Sequence, residues 1–126
     1  MATERKILIT AGKVSAQALL NDSPTATKIW EGLPIEARGN TWGDEIYFSI
    51  PVKASQEKDA REIVAVGELG YWPPGTAFCI FFGPTPASTD NRPRAASAVN
   101  IIGTVVGDAT VFKSVASGTR VKLERA

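Results

Sequence analysis

A small, mostly antiparallel β-barrel with one helix over an open end is the fold class this sequence predicts, and three observations predict it. About eight short stretches show strand periodicity between turn residues. One segment carries full helix punctuation, and glycines interrupt strand-like runs where a curved sheet would bend. A two-sheet sandwich is the alternative, because strand count alone does not separate it from a closed barrel. At 126 residues the chain reads as a single domain over residues 1–126, with no repeat, linker or low-complexity tract.

Lys6 to Thr10 reads as a strand, Gly12 and Lys13 as a turn, and Val14, Ala16, Ala18 and Leu20 as the alternating return of a hairpin. In "NDSPTATKIWEGLP" Ser23 is placed to cap a helix and Pro24 to begin it. Ala26, Ile29, Trp30 and Leu33 then form one apolar stripe before Gly32 and Pro34 end it. "EIYFSIPV" alternates, with Ile46, Phe48, Ile50 and Val52 on one face and Glu45, Tyr47 and Ser49 on a wet one. A charged loop is expected from Lys53 to Arg61, short strands over Ile63 to Val66 and within Gly70 to Phe82, and a polar loop from Pro84 to Ser97. Val99 to Val106 is β-branched around Gly103, Val111, Phe112 and Val115 suit a short second helix, and Arg120 to Leu123 closes the chain as a strand.

The charges nearly cancel, 14 lysines and arginines against 13 aspartates and glutamates, without blocks of either sign. No field draws the chain to nucleic acid or an anionic membrane. The first residues, MATERKILIT, hold too short an apolar stretch for a secretory signal, and no run approaches a membrane span. A single cysteine, Cys79, permits no internal disulfide and fits a reducing cytoplasm. The absence of histidine removes the usual Ser-His and Cys-His pairs and His-ligated metals, and neither a metal nor a cofactor is expected.

"GYWPPGTAFCIFFGPTPAS", Gly70 to Ser88, crowds Tyr71, Trp72, Phe78, Phe81 and Phe82 among prolines and glycines. Pro73 and Pro74 fix φ and lack N–H donors, so they stiffen the chain after Trp72. Rigid rings beside proline corners lose little freedom on binding an apolar ligand. The segment is therefore expected to wall a groove through Tyr71, Trp72, Pro73, Pro74, Phe78, Phe82, Pro84 and Thr85. Arg38, Arg92 and Arg94 are candidate forks of donors for a carboxylate or carbonyl, and Asn100 a candidate polar contact. Cys79 faces away from Phe78 and reads as an inert buried thiol. Asp44 and Glu45 face apart on a strand and read as capping or solvent residues.

Three segments resemble the cyclophilins. "VSAQALLNDSPTATKIWEGLP" is similar to their opening strand, turn and helix, "GTAFCIFF" to their Gly-Ser-Gln-Phe-Phe-Ile strand, and "VNIIGTVVGD" to their Val-Val-Phe-Gly-Lys-Val-Val strand. The run Gly-Tyr-Trp-Pro-Pro-Gly…Phe-Phe-Gly-Pro-Thr-Pro, here Gly70 to Pro86, resembles a family of short single-domain prokaryotic cyclophilin-like proteins of unassigned function. The resemblance implies a closed eight-stranded barrel and raises prolyl isomerisation, which lowers an amide rotation barrier of about 18–20 kcal/mol by favouring a twisted amide. Phe78 matches a proline-cup position. The isomerases' Phe-His-Arg-Val-Ile-Pro stretch has as its counterpart Tyr47-Phe48-Ser49-Ile50-Pro51, without arginine, and "VKASQEKDAREI" stands in place of Met-x-Gln-Gly-Gly-Asp. The expected function is therefore binding of a peptide segment or small molecule, with isomerase activity and self-association through the aromatic patch as the alternatives.

Overall fold

The computed structural model describes residues 4–126. Its strands are β1 (Arg5–Ala11), β2 (Val14–Leu20), β3 (Ile35–Arg38), β4 (Asn40–Thr41), β5 (Glu45–Ser49), β6 (Arg61–Ile63), β7 (Glu68–Trp72), β8 (Ala77–Phe81), β9 (Arg94–Val105) and β10 (Arg120–Arg125). Helix α1 (Pro24–Gly32) follows β2, and 3-10 turns occupy Pro73–Gly75 and Ala109–Ser114.

The first hairpin forms as its alternation requires: Gly12 takes φ +61° at the turn, and Ala11 pairs with Val14. Ser23 caps α1 by accepting the Ala26 N–H at 3.2 Å, with Pro24 at the first helical position. Ala26 and Ile29 face the core, and Trp30 packs at its margin under the Arg125 guanidinium, 4.2 Å from the ring centroid. The expected second helix is the 3-10 turn capped by Asp108, which buries Phe112 and leaves Val111 exposed.

All strand pairs are antiparallel, in the order β3-β10-β1-β2-β9-β7-β8-β5-β4, with β6 on β9. This corrects the closed eight-stranded barrel: the described residues form ten strands, and their ladder has two ends. The cause is local. The end strands β3 and β4 are successive in the chain, and at Gly39 between them the backbone leaves β10 and takes up β5. The Gly39 N–H donates to Thr119 O at 2.8 Å and its carbonyl accepts from Gly118 N at 2.8 Å. A Cβ at Gly39 would stand 3.0 Å from both Ile46 and Val121, so bulk is excluded where β5 and β10 approach.

Strand β8 is buried on both faces, which sets up two apolar compartments. Phe78 and Ile80 point into the main core with Ile7, Ile9, Ile29, Phe48, Tyr71 and Leu123. The Phe48 and Phe78 rings stack at 5.3 Å. Ala77, Cys79 and Phe81 point the other way, into a smaller cluster with Val64, Ala95 and Val99. The beginning of β9, paired with β6, covers that second face, so the polar loop expected to reach Ser97 becomes strand from Arg94 onward. Only the non-local pairing with β6 supplies this.

Beneath the charged loop lies a buried polar network. Tyr71 is fully buried, and its hydroxyl donates to Val52 O at 2.7 Å and accepts from Ala54 N at 3.2 Å. Asn100, also fully buried, donates to Thr25 Oγ1 at 3.0 Å and Ser55 O at 2.9 Å and accepts from Glu57 N at 2.7 Å. The Glu57 carboxylate accepts in turn from the Thr25 hydroxyl and backbone N–H. Every hydrogen-bonding position used by Asn100 fastens loop or helix, so its deletion strands several buried groups at once. Asn100→Ala is expected to lower stability by about 2–4 kcal/mol, read as a shifted urea midpoint.

Candidate functional site

The second compartment is not filled to its rim. A cavity of about 260 Å³ opens there, floored by β5 and β8 and bounded by the start of β9. Alternation places Tyr47 opposite Cys79 on the floor, with Gly70 beside Cys79 on β7. The space exists because small residues occupy this face: Cys79 at the base, Ala95 and Ala96 at the wall, and Gly70, where a Cβ would fall 2.9 Å from Val99.

Three rings line the cavity: Trp42, Tyr47 and Trp72. Trp72 is held on two sides, its indole N–H donating to Ser97 Oγ at 2.6 Å and its ring lying where a Cβ on Gly75 would come within 2.9 Å. Gly75 of the Pro73-Pro74-Gly75 turn thus packs against the Trp72 ring, and Trp72 is also paired with Ala77 on β8. The Gly83-Pro84-Thr85-Pro86 run fixes the opposite lip. Asp44 N donates to Pro84 O at 2.9 Å, and Phe82 N donates to Asp44 O at 2.9 Å. Gly43 takes φ +60° against Thr85 and Pro86, where a Cβ would stand 2.8 Å from each, and a Cβ on Gly83 would strike the Asp44 carboxylate. This seat orients the turn that carries Trp42 and delivers Glu45 to the cavity.

Glu45 is the chemical feature of the site. It is 5 % exposed, lines the cavity, and its Oε1 is fully buried without a hydrogen-bond partner. Burial pushes its carboxyl from 4.5 up to about 7, with the adjacent Cys79 thiol offsetting part of the rise. Burial also pushes the Cys79 thiol up, and the neighbouring carboxylate adds to this, so Cys79 stays protonated and unreactive. Its thiol donates to Ala77 O at 3.8 Å.

Of the residues expected to bind a ligand, Trp72 alone lines this cavity; Cys79 and Glu45, which also line it, were read as an inert thiol and a capping or solvent residue. Tyr71, Phe78 and Phe82 point into the main core, so the expected common wall of Tyr71, Trp72 and Phe78 does not form. Strand alternation divides it: Tyr71 and Phe78 are cross-strand partners on the inner face, and Trp72 is one residue out of phase with them. Pro73, Pro74 and Pro84 position the walls. Thr85 is buried, donating to Arg94 O and receiving the Ala87 N–H. The arginines lie elsewhere: Arg38 donates to Gly118 O at 3.4 Å, Arg92 pairs with Asp90 at 2.7 Å and Arg94 with Glu62 at 3.5 Å. Asn100 is spent on the loop network. Sequence reading missed Glu45, Trp42 and Tyr47; the available signal was a carboxylate and two rings within six residues, at the start of a strand whose second face was taken as wet.

Among the described residues no group of His, Cys, Asp or Glu is gathered as a metal would need, and no helix is long and apolar enough to cross a membrane. The site and fold together define a small antiparallel β protein with an aromatic pocket over a buried acid. The sequence matches the Cyclophilin-like family over residues 5–124, and the chain belongs to that family. Its structure is similar to the solution structure of a hypothetical protein from Archaeoglobus fulgidus, with 40 % sequence identity, a TM-score of 0.85, and coverage of 100 % of this chain and 98 % of that one. No curated protein matches the sequence.

Proposed function

We propose that this cyclophilin-like protein binds a small ligand, or one side chain of a peptide segment, in the pocket of Trp42, Tyr47, Trp72 and Glu45. The observation that carries the reading is the unpartnered, buried Oε1 of Glu45 in an apolar, ring-lined cavity. A protein gains nothing in stability from burying a carboxyl without a partner, whereas a ligand supplying a donor would complete it. The size suits a head group: pockets for drug-sized molecules run from about 300 Å³ upward, and this one is about 260 Å³. No arginine or lysine lines it, which favours binding over amide isomerisation, a reaction that needs a fixed cationic or strong hydrogen-bond donor at the twisted nitrogen.

A fragment mixture of cationic, neutral and anionic compounds, followed by the tryptophan indole N–H signals in NMR, tests this. The Trp72 indole signal is expected to shift with at least one fragment, and Trp72→Ala to weaken that fragment at least tenfold with the fold intact. Silence from every fragment at millimolar concentration would remove the reading.

A further inference from the structure

Building on that pocket reading, we propose that the ligand is a compact organic cation, an alkylated ammonium head group seated among Trp42, Tyr47 and Trp72 with its charge toward Glu45. Three features of the site converge on this chemistry.

The first is charge. The single ionisable acid of the cavity has an oxygen with no donor, and no basic side chain reaches it. Lys113 is engaged by the neighbouring Asp44 at 3.8 Å. Only the weak Cys79 thiol offsets the Glu45 charge, so the carboxylate still offers a negative charge to whatever enters, and an anionic ligand would meet repulsion. The second is the lining. Aromatic rings attract a cation through their quadrupole, and they do so best when the cation is weakly hydrated, as alkylated ammonium groups are. A metal ion needs several oxygen, nitrogen or sulfur donors in place of water, and this apolar lining does not supply them. The third is rigidity. Trp72 is held by Ser97 and Gly75, and Trp42 and Glu45 are delivered by the turn seated on the Gly83–Pro86 run, so little ordering is required on binding.

Proton linkage follows. The titratable groups that face Glu45 are Cys79 on β8 and Tyr47 on β5 itself, while β9 contributes only Ala95, Ala96 and Val99. A carboxyl near 7 is mostly protonated at pH 6 and mostly ionised at pH 8. A cation selects the ionised form, so affinity rises about tenfold across that interval and binding near pH 6.5 releases a proton.

Calorimetric titration of the whole protein with choline and with its neutral carbon isostere, 3,3-dimethylbutan-1-ol, at pH 6 and pH 8 tests the proposal. Choline is expected to bind about tenfold more tightly at pH 8, with the isostere at least tenfold weaker there and indifferent to pH. Glu45→Gln is expected to erase the pH trend; if that variant does not fold, the pH series on the native protein decides. A peptide carrying trimethyllysine distinguishes the source of the cation: tighter binding than choline places it on a protein side chain, weaker binding on a free small molecule. An isostere as tight as choline at pH 8, or choline affinity without pH dependence, overturns the cation while leaving the pocket standing. Binding of neither compound, with no shift of the Trp72 indole in the fragment test, removes both.

Discussion

Glu45→Gln is expected to stabilise the protein at pH 8 by about 3 kcal/mol and to leave it unchanged at pH 4. The sign comes from the direction of the shift. Burial holds the folded-state carboxyl at about 7, above its unfolded value of 4.5. Below 4.5 both states carry the proton and Glu45 has no effect on folding. Between 4.5 and 7 the folded state binds more protons than the unfolded one, so stability falls as pH rises. Above about 7 the full penalty of a buried, unpartnered charge is present. Glutamine keeps the shape of the protonated acid and carries no charge, so that part of the pH dependence vanishes. In thermal unfolding the variant is expected to melt roughly 10 °C higher at pH 8, with the two curves converging toward pH 4. Equal melting temperatures at pH 8 would show that the carboxylate already has a partner, and the argument for a ligand cation would lose its first support.

Gly103→Ala is expected to be the most damaging small substitution, costing about 3 kcal/mol. Gly103 lies near the end of β9, paired with Leu20 on β2 and Leu69 on β7. A Cβ there would sit 2.2 Å from the Leu19 carbonyl oxygen and 3.0 Å from the Leu20 Cα. Both obstacles are backbone, which a rotamer change cannot move, so β2 and β9 must part where the ladder joins the hairpin to the rest of the sheet. Gly32→Ala is the matched control: its Cβ would meet only Val52 at 3.5 Å, at the end of α1, and a neutral or slightly positive effect is expected. Urea midpoints for the pair measure the difference directly.

How much of this was legible beforehand depended on whether a feature is local. The β1–β2 hairpin, the Ser23-Pro24 helix start and the inward set of β5 are written in adjacent residues, and each appears where turn and cap chemistry put it; beside Gly103 the β7–β9 register shifts by one residue. The family resemblance rested on such local runs and is carried by the match over residues 5–124. Two non-local facts were not legible. The run from Arg94 onward reads as loop because its partner β6 lies some thirty residues away, by the register of Arg94 with Ile63. That same pairing roofs the outer face of β5, so Glu45 looked like a surface carboxylate and is 5 % exposed. The proline motif was read as a corner, and a 3-10 turn stands at Pro73–Gly75. It was assigned the wrong rings, because alternation shows which residues share a face and not which face is left open.

The two faces of β8 divide labour in a way that bears on how this protein could diversify. Phe78 and Ile80 belong to the compartment that holds the strands together, whereas Ala77, Cys79 and Phe81 belong to the one that frames the opening. No buried side chain is common to both clusters. Drift in the size of the outward set therefore reshapes the opening while the main core is left alone, so a lineage could remodel that cavity without first rebuilding its scaffold.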